Sequence, residues 1–286
     1  MQWEGREESE NVEDRRAFGG RTIAIGGGGI ILLLLGLFLG VNPDRLAELF
    51  GRKQGAQPGP APTAPADPQE ERLAKFAKVV FHDTEVVWDD LFQKIGKTYV
   101  KPTLVLFRGQ VNSACGTESA AVGPFYCPGD RKVYIDLSFY NEMERRLGAP
   151  GEFARAYVLG HEVGHHVQNL LGYSAAAREK RGILRSETAN QVSVRQELQA
   201  DFLAGVWAYH AEKRFRFLEK GDIDSAINAA YKIGDDFLQK RARGYVMPDA
   251  FTHGRSDQRV RWFRDGFETG DLSRAELLFT LPYKDL

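Results

Sequence analysis

The stretch best suited to chemistry is His161-Glu162-Val163-Gly164-His165, an H-E-x-x-H pentad within a run that has helical character. Residues four apart lie on the same face of an α-helix, so the imidazoles of His161 and His165 can converge on one cation. Glu162 lies about 100° round the helix, where it can reach a water bound to that cation. The spacing therefore predicts a metal site with a general base. A solvated helix face that happens to carry two histidines is the competing interpretation.

A catalytic zinc takes three protein ligands and keeps one position for water, so the pentad is one ligand short. A second long helix is predicted downstream, and it contains Glu197-Leu198-Gln199-Ala200-Asp201. Glu197 is the candidate third ligand, and Asp201 can accept the second N–H of a ligand imidazole. Ala200, Ala204 and Gly205 are small enough to let this helix pack closely against another. In isolation, a Glu and an Asp at this spacing indicate a solvated helix face. If close packing buries Glu197 and Asp201, however, the two carboxylates need a partner, and a metal ion can be that partner.

Composition limits the class of protein. The chain has 286 residues, of which 43% are hydrophobic and 27% charged, with a net charge of -1. This suits a globular domain with a sizeable core, and nothing in the charge balance indicates nucleic-acid binding. Cys115 and Cys127 are too few for a disulfide framework and lack C-x-x-C spacing. One disulfide between them requires Cα atoms within about 7 Å and would imply an oxidising compartment.

Four segments are predicted along the chain. Residues 1–21 are polar and mixed in charge, which predicts a disordered tail. Residues 22–41 carry no charge, and as a helix they would span about 30 Å, the thickness of the bilayer hydrocarbon. We interpret them as a transmembrane anchor rather than a cleaved signal peptide, because the preceding polar region is long and no A-x-A site follows promptly. Residues 42–69 form a Pro/Gly/Ala-rich linker, and 70–286 form the folded domain.

The membrane orientation does not follow from charge, because the basic residues on the two sides of residues 22–41 nearly balance. If the cysteines are joined, we expect a single-pass protein of the bacterial inner membrane with an extracytoplasmic domain. The expected partners are the membrane, through residues 22–41, and a peptide or protein substrate. Gly36 and Gly40 form a G-x-x-x-G that can pair two anchors.

Within the domain, apolar spacing predicts a helix from Glu71 to about Ile95, with a break near His82-Asp83. Short β-favouring runs at 102–107 and 132–137, separated by turn residues, predict a small antiparallel sheet. The helix of the pentad should end near Gly172. Residues 174–186 suit either a loop or a mobile helix, and the second half is predicted to be helical. The expected fold class is α+β and mostly helical.

The two metal motifs resemble those of gluzincin zinc metallopeptidases. The chain more closely resembles the bacterial putative neutral zinc metallopeptidase family, and the likeness reaches from the first helix to about Gly266. Thr252-His253-Gly254 with Arg259 also resembles the T-H-P-x-x-x-x-R of membrane-linked gluzincins, with Gly in place of Pro. The further stretches that carry the resemblance are Pro124 to Pro128, Tyr134 to Phe139, Gly160 to Gln168, Glu197 to Ala208, and Arg259 with Trp262 and Phe263.

The resemblance implies a zincin-like domain that binds Zn²⁺ and hydrolyses peptide bonds, with Glu162 as general base. It also implies catalytic participation of His253 as a donor to the oxyanion, with Arg259 binding the oxyanion or the substrate. Helix capping by His253 and a salt bridge of Arg259 are the structural alternatives. Two other functions stay open: a membrane-tethered binding or assembly protein without activity, and a zinc amidase that acts on cell-wall peptides.

Overall fold

The computed structural model describes residues 1–18, 67–183 and 186–286, which form a mostly helical α+β structure. The longer helices provide the framework, and one small sheet lies beside them. The helices are α1 (Pro68–Lys94), α2 (Ser138–Glu142), α3 (Glu152–Leu171), α4 (Tyr173–Ile183), α5 (Ser186–Phe215), α6 (Asp222–Lys232), α7 (Asp235–Arg243), α8 (Ser256–Thr269) and α9 (Leu277–Thr280).

Helix α1 begins with a side-chain cap. The Asp67 carboxylate accepts a hydrogen bond from the Gln69 N–H at 3.0 Å, and Pro68 occupies the first turn, where its missing N–H costs nothing. The helix continues without a break through His82-Asp83, so the predicted break is wrong. Asp83 is polar but buried, and the Arg6 guanidinium donates a hydrogen bond to it at 2.6 Å. This pairing lets a charged residue lie on the buried face of an intact helix.

The sheet is mixed, which corrects the predicted antiparallel arrangement. Its strands are β1 (Val12–Asp14), β2 (Thr103–Phe107), β5 (Phe125–Cys127) and β6 (Lys132–Asp136), in the order β1-β2-β6-β5. The β1–β2 and β2–β6 pairs are parallel, and β5–β6 is antiparallel. Strands β3 (Gln110–Ser113) and β4 (Gly116–Ser119) form a separate antiparallel hairpin. The connection from β2 to β6 is long enough to carry the chain back to the end of the sheet where β2 begins. The two strands can therefore run in the same direction.

The N-terminal residues are folded onto the domain, so the predicted disorder is wrong for residues 1–18. Strand β1 pairs with β2 in the register Val12↔Leu104, and Trp3 is 5% exposed. The sequence signal was weak because the strand is short and carries acidic residues.

The predicted anchor at 22–41 and most of the linker lie outside the described residues. Among the residues that are described, no helix is both long and apolar enough to cross a membrane.

Helices α3 and α5 pack closely through small residues, as their sequences predict. A Cβ atom on Gly164 would lie 2.9 Å from the Ala200 carbonyl oxygen, and one on Gly160 would lie 2.8 Å from the Trp207 ring. Helix α8 approaches the opposite side of α5 just as closely. There, a Cβ on Gly205 would lie 2.2 Å from the Phe263 carbonyl oxygen. Side chains on α3 and α8 are thereby brought to the same stretch of α5.

The two cysteines are joined. The Cys115–Cys127 disulfide has Cα atoms 5.9 Å apart, and it ties the turn of the β3–β4 hairpin to the end of β5.

Helix α3 ends at Leu171, as predicted, with Gly172 in the left-handed conformation at φ 89°. Residues 173–183 are helical, which resolves the choice between loop and helix for most of that segment.

Candidate metal centre

Three side chains from two helices converge. His161 and His165 project from α3, and Glu197 projects from α5 across the close contact between the helices. The Glu197 carboxylate oxygens lie 3.3 Å from His161 Nε2 and 3.6 Å from His165 Nε2. Within the described part of the chain, this is the group of His, Cys, Asp and Glu side chains whose donor atoms approach closely enough to hold a metal, all within 4.8 Å of one another. Two imidazoles and one carboxylate form a ligand set typical of catalytic zinc, so the residues fit that ion.

Asp201 orients the first imidazole. One turn after Glu197, its carboxylate is fully buried and accepts a hydrogen bond from His161 Nδ1–H at 2.8 Å. The Tyr157 hydroxyl donates to the same oxygen. A proton held on Nδ1 leaves the Nε2 lone pair directed towards the metal position, which is the arrangement that favours coordination.

Arg259 lines the cavity and pairs with Asp201. Its side chain is 3% exposed, and its Nε and Nη2 atoms donate to the two Asp201 oxygens at 2.8 and 2.9 Å. Burial lowers the pKa of Arg259, but the charge of Asp201 outweighs burial and raises it. The guanidinium thus makes the buried ion pair that the salt-bridge alternative describes, and its binding of substrate or oxyanion stays a prediction.

Gln168 orients the second imidazole. Its Oε1 accepts from His165 Nδ1–H at 2.9 Å, and its own Nε2 donates to the carbonyl oxygen of Gln196 at 2.6 Å. Gln196 directly precedes Glu197, so this one amide connects the second histidine to the helix that carries the carboxylate ligand. Gln168 was not predicted as a site residue, although its position three residues after His165 places it on the same helix face.

The electrostatics of the group favour a cation. Burial lowers the pKa of His161, but Asp201 and Glu197 outweigh burial and raise it. For His165, burial again lowers the pKa, and Glu197 raises it above the ordinary value. Burial raises the pKa of Glu197, yet the two histidines lower it well below 4.5. The site therefore stabilises positive charge between the imidazoles and the carboxylate, and a metal that binds there displaces protons.

Glu162 lines the same cavity as the three candidate ligands and is 8% exposed. Burial raises the pKa of Glu162. The nearby histidines and the backbone N–H of Tyr126 lower this pKa, but by less than burial raises it, so the net shift is upward. Tyr126 belongs to β5, the strand at the end of the sheet. Its N–H thus holds the carboxyl at the point where the sheet meets α3.

His253 reaches the same cavity from the loop before α8. Its Nδ1 lies 3.2 Å from a carboxylate oxygen of Asp235, and the other oxygen accepts the backbone N–H groups of Thr252, His253 and Gly254 at 2.7, 2.7 and 3.1 Å. Asp235 is completely buried. Burial lowers the pKa of His253, but Asp235 and Glu197 outweigh burial and raise it. The loop therefore presents the His253 ring beside Glu197, and Asp235 fixes its position.

The cavity around these groups has a volume of about 510 Å³ and a largely apolar wall. The apolar side chains that line it are Val122, Phe125, Phe139, Leu147, Val158, Ile233 and Leu238. Two further histidines, His166 and His210, bond elsewhere in the structure. His166 bonds the Tyr126 hydroxyl and the Val100 carbonyl, and His210 bonds the Gly270 carbonyl.

Two other contributors were missed by sequence reasoning. Tyr157 lies one helical turn before His161 and shares its face, so its spacing could have indicated a role. Asp235 is separated from His253 by the whole of α7, and no sequence spacing connects them. Only the three-dimensional contact identifies it.

Comparisons with known proteins identify a family for the chain. A family model described as "Putative neutral zinc metallopeptidase" matches residues 1–277. The "Uncharacterized protein YpfJ" of Escherichia coli K12 is 46% identical over 280 residues, covering 95% of this chain and 96% of that protein. The "Uncharacterized protein Rv2575" of Mycobacterium tuberculosis H37Rv is 40% identical over 200 residues, covering 66% and 65%. No solved structure matches the chain.

Proposed function

The chain belongs to the family of putative neutral zinc metallopeptidases, and from that premise we propose that it is a zinc-dependent endopeptidase. The observation that carries the proposal is the convergence of the His161, His165 and Glu197 donor atoms beside the buried carboxyl of Glu162. A metal with a purely structural role would not need a base next to its ligands. The arrangement is the one that metal-assisted hydrolysis requires.

In this proposal, His161, His165 and Glu197 would hold zinc, which would supply a water with a pKa of about 7 and polarise the peptide carbonyl. Glu162 accepts a proton from the attacking water and returns it to the leaving nitrogen. Burial raises the pKa of this carboxyl, which is the direction that suits a group that must first take and then give a proton. Asp201 and Gln168 keep the two imidazoles in the tautomer that turns Nε2 towards the metal position.

His253 supplies charge stabilisation. As a carbonyl becomes tetrahedral, its oxygen gains negative charge, and a positioned N–H donor stabilises that charge. The neighbouring carboxylates raise the pKa of His253, which favours the ring as a donor, and Asp235 anchors both the ring and its loop.

The substrate class follows from the cavity wall. Strand β5 is at the end of the sheet, and Phe125 and Tyr126 on it line the cavity. An extended peptide can pair with such an edge through main-chain hydrogen bonds, whatever its side chains. The apolar wall near Phe139, Leu147 and Leu238 favours large apolar side chains next to the cleaved bond. We therefore propose unfolded or extended polypeptides as substrates.

The test is cleavage of a denatured protein by wild type and by Glu162→Gln, with zinc content measured on both. Glu162→Gln should keep zinc and lose cleavage, whereas Glu268→Gln, an exposed Glu on α8, should match wild type. Cleavage by Glu162→Gln at the wild-type rate would refute the role of the base. Zinc binding without cleavage by wild type would favour a binding or assembly protein, and cleavage of cell-wall amides alone would favour the amidase.

The ligand role of Glu197 has its own test. Glu197→Ala removes one of three ligands and leaves two imidazoles, so we expect purified protein that lacks stoichiometric zinc. A variant that retains one zinc per chain would remove Glu197 from the ligand set.

The proposal includes an extracytoplasmic location in contact with the inner membrane. It is supported by the Cys115–Cys127 disulfide, because disulfides persist in oxidising compartments, and by the uncharged composition of residues 22–41. Protein taken directly from cells should resist alkylation until it is reduced. Free thiols in that sample would contradict the location.

A further inference from the structure

Residues 1–18 are bound to the domain by backbone hydrogen bonds along their length. The Ser9 N–H donates to the Lys78 carbonyl at 3.1 Å, the Leu104 N–H donates to the Asn11 carbonyl at 2.9 Å, and the Arg15 N–H donates to the Leu106 carbonyl at 2.8 Å. These contacts make β1 an edge strand of the same sheet whose opposite edge lines the cavity. The first residues of the chain are therefore part of the domain that begins again at Asp67.

The domain also depends on this segment for its charge pairing. Asp83 and Glu85 on α1 are each 1% exposed. Arg6 donates to Asp83 at 2.6 Å, while Ser9 Oγ and Asn11 Nδ2 donate to Glu85 at 3.0 and 2.7 Å. Without residues 1–18, both carboxylates would lose these partners, which is a costly state for buried charges.

Apolar contacts complete the attachment. Trp3 is 5% exposed and meets Phe76 of α1 edge to face, with ring centroids 5.5 Å apart. The Arg72 guanidinium covers the indole at 5.0 Å and donates to Glu4 at 3.0 Å. The segment thus combines a strand, a buried ion pair, hydrogen bonds to a second buried carboxylate and an aromatic anchor, which together favour a docked state over a detached tail.

This attachment conflicts with a single membrane crossing between the two parts of the domain. If residues 22–41 crossed once, residues 1–18 and 67–286 would lie on opposite faces of a hydrocarbon layer about 30 Å thick. A return crossing through residues 42–66 is unfavourable, because charged groups in the hydrocarbon are costly. That stretch contains Asp44, Arg45, Glu48, Arg52 and Lys53.

We propose that residues 1–18 and 67–286 lie on the same face of the membrane, so that the residues between them do not make a single crossing. The expected single-pass topology, which would place the two parts on opposite faces, is thereby replaced. The inference rests on the contacts of β1, Trp3 and Arg6, and it holds whether or not the domain is a peptidase.

The first test uses single added cysteines in the full-length protein, where the native pair is joined. Glu10→Cys and Lys97→Cys are both at exposed positions, one in each part of the domain. In spheroplasts treated with a membrane-impermeant maleimide, both should be labelled, or both should be labelled only after lysis. Labelling of one with protection of the other would overturn the proposal.

The second test examines docking in the membrane itself. Glu4 and Arg72 are exposed partners, so Glu4→Cys with Arg72→Cys should be joined within one chain by a short bifunctional maleimide. The matched control is Glu4→Cys with Lys94→Cys, because Lys94 lies about 33 Å further along the same helix. Cross-linking of the first pair alone is expected. Equal absence of cross-linking in both pairs, in membranes, would show a detached segment and overturn the proposal.

Discussion

Substitution of Asp201 by Asn tests whether one buried carboxylate connects metal binding to folding. The wild-type carboxylate is fully buried, and it accepts from His161 Nδ1–H, from the Tyr157 hydroxyl and from both Nε and Nη2 of Arg259. Asn keeps the size of the side chain but has one acceptor oxygen and no charge. Its amide N–H₂ must face either the guanidinium or the imidazole, and both of these are donors.

Two effects of different size are expected from Asp201→Asn. Loss of the partner that orients a metal-ligating His typically weakens metal binding 10- to 100-fold, about 1.4 to 2.7 kcal/mol. Leaving the buried Arg259 without its counter-charge typically costs about 3 to 5 kcal/mol of folding free energy. The stability effect should therefore exceed the effect on zinc affinity, and it should be present in the metal-free protein as well.

The assay combines denaturant unfolding in the presence of a chelator with zinc competition against a chelating dye. The matched control is Asp265→Asn, since Asp265 pairs with Arg274 near the surface at 2.7 Å, where an ion pair is worth about 1 kcal/mol or less. Asp265→Asn should leave zinc affinity unchanged. If Asp201→Asn shifts neither zinc affinity nor the unfolding midpoint beyond this control, the argument for a shared carboxylate is refuted.

Three further outcomes are expected. His253→Ala should keep zinc and lose about a hundredfold in turnover, and near-normal turnover would leave His253 a structural residue. Gly164→Ala should lower zinc content, because its Cβ would lie 2.9 Å from the Ala200 carbonyl oxygen, whereas Gly182→Ala has open space and should match wild type. Burial raises the pKa of Asp83 to about 7 from 3.8, so its contribution to stability should be present below about pH 4 and be lost as pH rises through about 7. An unchanged pH dependence of unfolding in Asp83→Asn would contradict that assignment.

The sequence predicts the elements whose signals are local. The four-residue spacing of His161 and His165 requires only a helix, and α3 is helical throughout that stretch. The small residues on α5 predict a close approach to another helix, and the contact between Gly164 and Ala200 is of that kind. Glu197 could be identified because a zinc site needs one more ligand and this helix offers a carboxylate. Periodicity and ligand chemistry were sufficient there.

Long-range pairings were not predictable in the same way. Strand β1 has three residues, and two of them, Glu13 and Asp14, are acidic, so its sequence shows no buried-strand pattern. Its partner β2 lies far along the chain, and the register depends on contacts that no local signal encodes. The parallel direction of β2 and β6 likewise depends on the path of the intervening connection. Arg259 was selected for its position after His253 in a motif that resembles T-H-P-x-x-x-x-R, but the motif alone does not distinguish a substrate contact from a buried ion pair.

The contacts of Asp201 imply that metal binding and helix packing are coupled. His161 comes from α3, Asp201 from α5 and Arg259 from α8, so one carboxylate connects three helices and a metal ligand. A metal that binds only the folded state adds RT ln(1 + [L]/Kd) to its stability, about 2.7 kcal/mol at a hundred times Kd. Because Gln168 joins His165 to the backbone just before Glu197, the second imidazole is held by the same helix pair. Zinc should therefore stabilise the packing of α3 against α5 directly, and loosening of that packing should release the metal.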